Sequence, residues 1–262
     1  MVKLILLCTG KFFLATLINS ILSCSPENKD RVINASEAST SEIEATILVN
    51  KTSYTDTPVF VVRLQDTNKI DEDERPSLVL SGNDEVTLEH GTFSRVSTSD
   101  FTSRSPFTEI IENWDRSQPF SATYYRDDGE FIDIGEIFLP IDYEIFEPSN
   151  TTIIDWREEF NLTWSEPQNS DQVSVAMMIN CNPELIFKYS EDMPDSGTWA
   201  FTIKELEWQN SNNKNVNDIQ LKTCKLSFCL TKENSNAVNK VFHSGSAIAR
   251  NAQCRDPLLK TL

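Results

Sequence analysis

Short runs of β-branched and aromatic residues, separated by stretches rich in turn-forming residues, dominate the chain from residue 43 onward. This pattern is typical of an antiparallel β-sandwich and argues against a parallel α/β sheet. Six strands are predicted in the first half: Ile43 to Val49, Val59 to Gln65, Leu78 to Leu80, Glu85 to His90, Phe120 to Arg126 and Phe131 to Leu139. We expect a tight hairpin at Asp127-Asp128-Gly129, because an Asp-Gly pair supplies the positive φ angles of such turns. Residues 101 to 119 are ambiguous, with a helical turn around Phe107 to Trp114 as one interpretation.

The second half repeats the pattern after a stretch bracketed by Pro140 and Pro148, which we do not expect to pair regularly on both sides. A domain boundary is therefore placed near residue 148. Strict alternation from Glu159 to Trp164 predicts a strand with one buried face. The remaining predicted strands are Val173 to Cys181, Leu185 to Tyr189, Gly197 to Ile203, Ile219 to Leu230 and Ala247 to Cys254. The predicted fold is all-β, with two antiparallel immunoglobulin-like β-sandwich domains in tandem, residues 43–148 and 149–262.

The N-terminal segment has the features of an export signal. Lys3 and Lys11 precede an apolar run, and no acidic residue occurs before Glu27. The run is too short and too interrupted for a spanning helix, so residues 1–23 are predicted to be a cleaved signal peptide. Residues 24–42 are polar and lack aromatic residues, which predicts a flexible tether.

The four residues Ile21-Leu22-Ser23-Cys24 resemble the lipobox of bacterial lipoproteins. That resemblance implies that Cys24 carries lipid, such as palmitate, and becomes the first residue of the mature chain. Several acyl chains on one residue would anchor the protein stably to a membrane. Because Ser25 rather than Asp follows the cysteine, the outer membrane is the expected location. Plain secretion, with cleavage elsewhere near Ser23, is the alternative.

A second alternative is a glycosylated secreted eukaryotic protein. Four sites match the Asn-x-Ser/Thr acceptor pattern, at Asn34, Asn50, Asn150 and Asn161. Such matches arise easily by chance in a chain rich in Asn, Ser and Thr.

The charge of the chain restricts its partners. Its 262 residues include 40 acidic and 23 basic ones, which gives a formal net charge of −17. The resulting field repels nucleic acids and other polyanions, so no nucleic-acid partner is predicted. The length is sufficient for two domains with real hydrophobic cores.

Four cysteines remain after Cys8 is assigned to the signal and Cys24 to the lipid, namely Cys181, Cys224, Cys229 and Cys254. An even number in an exported chain indicates two disulfides, and a zinc site lacks the usual second Cys or His pair. In an immunoglobulin-like sandwich the third strand lies beside the sixth and the sixth beside the seventh. The strands that end at Cys181, Leu230 and Cys254 are assigned to the third, sixth and seventh places. We therefore predict the disulfides Cys181–Cys224 and Cys229–Cys254. Their Cα separations should then be about 4.4–6.8 Å.

Few residues are available for catalysis, and neither a catalytic residue nor a cofactor is predicted. The chain has two histidines, His90 and His243, and no hydrolase or zinc-protease motif. The sequence His243-Ser-Gly-Ser246 could place a base beside a nucleophile, but a Ser/Gly turn at the start of the last strand explains it better. Asp71 to Glu74 and Asp127 to Asp133 are acidic clusters without calcium-loop spacing, so no metal site is predicted.

Three tryptophans with acidic neighbours suggest a saccharide site: Trp114 beside Asp115, Trp156 near Glu158 and Glu159, and Trp208 after Glu207. Aromatic faces and carboxylates can together hold a sugar, and two carboxylates could also hydrolyse it. Trp164 and Trp199 are instead interpreted as core residues within strands.

Several short motifs resemble those of uncharacterised bacterial lipoproteins that carry immunoglobulin-like β-sandwich domains. They are the lipobox, the turn at Leu80 to Asp84, the hairpin at Tyr125 to Gly129, Leu139-Pro140, and Asn161 to Trp164. The resemblance implies a cell-envelope location and a fold but no activity. We expect a noncatalytic envelope module that binds or spaces an unknown ligand, attached to the membrane by lipid and open to an envelope protein or glycan partner. The alternative is a carbohydrate-binding or carbohydrate-active domain that uses the Trp and carboxylate residues.

Overall fold

The computed structural model describes residues 33–34, 38–67, 78–80, 83–91, 94–98, 107–112, 114–165, 172–182, 185–210 and 224–260. Nineteen strands and two short 3₁₀ helices, Thr40–Glu42 and Ile203–Glu205, form the regular structure of this part of the chain, which contains no α-helix. The all-β prediction is therefore confirmed. The predicted signal peptide, the lipidation site Cys24 and the acidic run Asp71 to Glu74 lie outside the described residues.

The strands of the first half are β1 (Ile33–Asn34), β2 (Ile43–Thr52), β3 (Thr55–Asp66), β4 (Leu78–Val79), β5 (Glu85–His90), β6 (Ser94–Thr98), β7 (Phe107–Ile110), β8 (Phe120–Tyr125) and β9 (Phe131–Ile137). Those of the second half are β10 (Ile145–Glu147), β11 (Ile153–Asp155), β12 (Glu159–Trp164), β13 (Gln172–Asn182), β14 (Leu185–Pro194), β15 (Thr198–Thr202), β16 (Gln209–Asn210), β17 (Lys225–Ala237), β18 (Ser244–Arg255) and β19 (Leu258–Lys260).

The largest sheet has eight strands in the order β16-β14-β13-β17-β18-β2-β3-β7. It joins the two halves of the sequence, because β18 pairs in parallel with β2 from Ser244 opposite Glu44 to Ala252 opposite Thr52. The other neighbours in this sheet are antiparallel. The segments on either side of residue 148 therefore share one sheet.

Smaller sheets cover the large one. A four-stranded antiparallel sheet, β6-β5-β8-β9, belongs to the first half, and a three-stranded antiparallel sheet, β10-β12-β15, belongs to the second. Two short parallel pairs, β1 with β4 and β11 with β19, complete the pairing of the described strands.

The buried side chains form three clusters. The first is built from strands β2, β3, β5, β8 and β9, and Ala247 and Ala249 of β18 complete it. The other two lie in the second half, where Leu162, Phe228 and Leu230 belong to one and Ile154, Trp156 and Phe187 to the other. Strand β18 therefore links the two halves of the sequence. Its Ala247 and Ala249 line the first cluster beside β2, and its Cys254 is bonded to Cys229 of β17.

Both disulfides are formed as predicted. Cys181 is bonded to Cys224 and Cys229 to Cys254, with Cα separations of 3.9 and 4.1 Å. Both separations are shorter than the expected range, so the expected distance is wrong although the pairing is confirmed. Cys229 and Cys254 are direct partners in the β17-β18 ladder. The β13-β17 and β17-β18 neighbours on which the prediction depended are also present.

Most predicted strands lie within a few residues of the observed ones, and Glu85–His90 and Glu159–Trp164 match at both ends. The hairpin at Asp127-Asp128-Gly129 is present, with Gly129 at φ 87°. A helical turn at Phe107 is wrong, because Phe107–Ile110 is a strand paired with β3.

The predicted flexible tether, residues 24–42, overlaps the fold. Ala38 is buried in the first cluster, and its carbonyl accepts a hydrogen bond from Arg126 at 3.0 Å. Residues 40–42 form a 3₁₀ helix, and Ile33–Asn34 pairs with β4. Residues 38–42 therefore belong to the folded body rather than to a tether.

Candidate functional site

A group of partly exposed aromatic side chains lies where the two sheets of the second half end. Among the described strands, β15 is the outer strand of the three-stranded sheet, and the two-residue β16 pairs with only a short part of β14 on its outer side. The group consists of Tyr189 on β14, Trp199 and Phe201 on β15, Trp208 before β16, and Phe160 on β12, and we call it the aromatic rim. Each ring packs with one side against the buried clusters of the second half.

The rings of the aromatic rim are in mutual contact. The centroid of Tyr189 lies 6.2 Å from that of Trp199, with the planes 9° apart, and 6.1 Å from that of Trp208. Trp199 also stacks on Phe201 at 4.4 Å. The indole N–H of Trp208 donates a hydrogen bond to the carbonyl of Ile203 at 2.8 Å, which fixes its orientation. The rim is therefore a preorganised aromatic surface.

Two exposed carboxylates accompany these rings. The Tyr189 hydroxyl donates a hydrogen bond to Glu191 Oε2, and Glu191 follows it by two residues on the same strand face. Burial raises the pKa of Tyr189, and the hydrogen bond to Glu191 and the negative charges of Glu191 and Glu207 raise it further. Glu207 therefore lies close enough to act on the same hydroxyl. The phenol stays protonated at neutral pH and is available as a donor or acceptor.

The three tryptophans singled out in the sequence do not come together. Trp114 packs against the first cluster, with the ammonium of Lys51 5.1 Å from its ring centroid. Trp156 is buried, and the guanidinium of Arg157 lies 5.3 Å from its ring. Only Trp208 lies in the aromatic rim, and Glu207 is beside it.

The core interpretation holds for Trp164, which is 2% exposed, but Trp199 is a partly exposed member of the aromatic rim. Tyr189, Trp199 and Glu191 were thus missed as site residues. The signal for two of them was present, because residues 187, 189 and 191 alternate onto one face of a strand. Their partial exposure follows from the open edge of the sheet, which alternation does not reveal.

His90 is structural. It is fully buried, its ring stacks on Phe120 at 4.1 Å, and Nε2 accepts a hydrogen bond from the Asp115 backbone at 2.7 Å. Nδ1 lies 3.2 Å from the Pro119 carbonyl, to which it donates. Burial lowers the pKa of His90, so the ring is neutral at pH 7. His243 immediately precedes β18, and its backbone N–H donates to the Ile43 carbonyl at 2.9 Å. The predicted Ser/Gly turn is wrong in position, because Ser244 to Ser246 already belong to β18 and the turn bond joins Phe242 to Asn239.

The acidic residues of the hairpin accept hydrogen bonds within their own turn and from the segment before β5. Asp127 Oδ1 accepts hydrogen bonds from the backbone and side chain of Asn83, at 3.1 and 2.6 Å. Asp128 Oδ1 accepts one from the Glu130 backbone at 3.0 Å. Within the described ranges, no group of three or more His, Cys, Asp or Glu residues could hold a metal ion.

A row of buried polar residues crosses three neighbouring strands between the clusters. Lys232 on β17 lies opposite Asn251 on β18, which lies opposite Lys51 on β2. Lys51 Nζ is 3.5 Å from Asp142 Oδ1, and Asn251 Nδ2 donates to the same oxygen at 2.8 Å. The segment that contains Asp142 and Tyr143 covers this row. Asp142 contacts the row directly, and the Tyr143 hydroxyl donates a hydrogen bond to the Leu230 carbonyl on β17.

Comparison with protein-family models gives no match, and comparison with curated proteins gives no relative. Among the described residues, no helix has the length and hydrophobicity needed to cross a membrane.

Proposed function

We propose that the protein is a noncatalytic module of the bacterial cell envelope that binds a saccharide at the aromatic rim. The observation that carries this proposal is the contact among Tyr189, Trp199 and Trp208 beside the carboxylates of Glu191 and Glu207. Sugar rings present apolar C–H faces, which pack on aromatic rings, and hydroxyl groups, which donate to carboxylates.

The disulfides support an extracytoplasmic location, since such bonds persist in oxidising compartments. Attachment through lipid on Cys24, with the outer membrane as the expected site, remains part of the proposal and is based on the lipobox resemblance. Interpretation of the two halves as immunoglobulin-like sandwiches is likewise a proposal. It is supported by the smaller sheet that each half contributes, four-stranded in the first and three-stranded in the second, and by the large sheet that both halves share.

The charge of the chain narrows the ligand class. With a formal net charge of −17, the protein repels anionic polysaccharides, and Glu191 and Glu207 add negative charge at the aromatic rim itself. Neutral or amino sugars are therefore the expected ligands. A binding role is favoured over hydrolysis because Glu191 is already engaged by the Tyr189 hydroxyl.

The test is binding of the full-length protein to an array of neutral, amino and acidic oligosaccharides, followed by titration of any hit with tryptophan fluorescence. We expect binding to neutral or amino sugars and at least about tenfold weaker binding by Trp208→Ala, a loss of about 1.4 kcal/mol. Tyr189→Phe keeps the ring and removes the hydroxyl, so it should weaken binding less.

The matched control is Phe131→Ala, which removes an aromatic ring that is 70% exposed on β9, remote in sequence from the rim. It should bind as the unmodified protein does. If Trp208→Ala, shown to be folded by its melting temperature, also binds normally, then the rim is not the site. Absence of binding to every sugar on the array would refute the saccharide class.

A further inference from the structure

A second feature, formed by residues outside the aromatic rim, is the ion pair between Lys232 and Asp195. Lys232 Nζ lies 2.8 Å from Asp195 Oδ2, and the two side chains are 4% and 1% exposed. Lys232 belongs to β17 in the large sheet, whereas Asp195 lies between β14 and β15 and so leads into the smaller one. The pair therefore connects the two sheets of the second half in a place without access to solvent.

Aromatic residues surround this pair. Trp164 Nε1 donates a hydrogen bond to Asp195 Oδ1 at 2.7 Å, and Lys232 Nζ lies 5.0 Å from the ring centroid of Tyr143. The indole thus fixes Oδ1, whereas the buried Oδ2 is in ion-pair contact with the ammonium but has no hydrogen-bond partner. An amine and a carboxyl group fixed in this way have an effective concentration far above any that free reactants reach in solution.

We propose that Lys232 and Asp195 condense to an intramolecular isopeptide bond between the two sheets. One proton passes from Nζ to Oδ2 along the 2.8 Å contact, which gives a neutral amine and a carboxylic acid. The nitrogen lone pair then attacks Cγ, and the Trp164 N–H stabilises the oxyanion that forms on Oδ1. The C–Oδ2 bond breaks, the nitrogen loses its remaining extra proton to the departing oxygen, and one water leaves.

The reaction is balanced without an oxidant or a co-reactant: the ammonium and carboxylate become one amide and one water. It is favoured by the surroundings, because burying two charges carries a large desolvation penalty that a neutral amide avoids. Release of the water from a dry interior opposes the reverse hydrolysis. The proposal is independent of the saccharide site.

A comparison pair among the described residues shows why Lys232 should react and Lys51 should not. Lys51 also faces a carboxylate, but its Nζ is 3.5 Å from Asp142 Oδ1 and the side chain of Asp142 is 38% exposed. Water reaches that carboxylate and competes with the amine. Lys51 therefore serves as the matched control for Lys232.

Asn251 is the other acyl group near Lys232, since it lies directly opposite on β18 and is fully buried. Its reaction with the lysine would release ammonia in place of water. Asp195 is the assigned partner because it is in contact with Nζ, and the mass lost distinguishes the two.

The experiment is peptide mapping by mass spectrometry on the full chain, after denaturation, reduction and alkylation. We expect a cross-linked peptide that contains residues 195 and 232, lighter than the sum of its parts by one water. Recovery of both peptides as linear species with unmodified masses would overturn the proposal. A cross-link to the Asn251 peptide, lighter by one ammonia, would overturn the assignment to Asp195.

Two variants complete the test. Lys232→Arg keeps the positive charge but has no nucleophilic amine, so the cross-linked peptide should disappear. Lys51→Arg should retain it. If Lys232→Arg does not fold, the peptide map of the unmodified protein still decides the question alone.

Discussion

The parallel pairing of β18 with β2 can be tested at Gly245. This residue lies opposite Ala45 on β2 and has a φ of 147°, and a Cβ atom placed on it would lie 1.7 Å from the Ala45 carbonyl oxygen. No side-chain rotation relieves this contact, because both atoms belong to the backbone or are fixed to it. The Gly245→Ala variant must therefore separate the two strands.

The expected cost has two parts. Forcing an extra methyl group into a packed site costs about 1–3 kcal/mol, and holding alanine in a disfavoured backbone conformation costs about 1–3 kcal/mol more. The sum, about 2–6 kcal/mol, is a large part of the total stability of an ordinary domain, which is about 5–15 kcal/mol.

The matched control is Gly129→Ala in the β8-β9 turn. Gly129 also has a positive φ, 87°, but nothing lies within 4 Å of the position that its Cβ would occupy. Both variants lose the same unfolded-state freedom of glycine, so that contribution cancels in their comparison. Gly245→Ala should consequently be the less stable variant by about 1–3 kcal/mol, the cost of the contact with Ala45.

The assay is urea unfolding with both disulfides intact, followed by tryptophan fluorescence and analysed by linear extrapolation. Equal destabilisation by the two substitutions would refute the β18-β2 register. It would also remove the argument that the two halves of the sequence share one sheet.

Three further predictions concern the disulfides, a buried histidine and the anchor. Replacing Cys229 and Cys254 with serine should lower the free energy of unfolding by about 3.5 kcal/mol, and replacing Cys181 and Cys224 should lower it by about 4 kcal/mol, because the unfolded chain regains loop-closure entropy. Nonreducing peptide mapping that recovers any other pairing would contradict the structure. Burial lowers the pKa of His90 in the folded state below the ordinary value of 6.5. As the pH falls, the imidazole of the unfolded chain is therefore protonated before that of the folded protein, and stability should fall below about pH 6.5. A His90→Gln variant measured by urea unfolding at pH 7.5 and 5 should lose less stability over this interval than the unmodified protein, and an equal loss would exclude His90 as the cause. Mass spectrometry of the membrane-extracted protein should find Cys24 lipidated and first in the mature chain, whereas an unmodified Cys24 thiol would end the lipoprotein interpretation.

The candidate site was accessible to sequence reasoning only in part. Trp208 and Glu207 were named because an aromatic residue beside a carboxylate is visible along the chain. Trp199 was assigned to the core, and its face does point inward, opposite the buried Leu162. Its partial exposure fits the position of β15, which is the outer strand of its sheet among the described strands, and strand order is a property of the assembled sheet.

The sequence by itself determined the local structure: the alternation that places Leu162 and Trp164 on one face, the turn at Gly129, and the hairpin length that sets Cys229 opposite Cys254. These features depend on neighbours that are close in the chain or joined by one turn. Only the tertiary structure decided that β18 pairs with β2, which lies far away in the chain, and that Lys232 meets Asp195. The physical reason is that strand pairing uses backbone groups that every residue carries, so the side-chain pattern shows which face of a strand is buried but not which strand lies beside it.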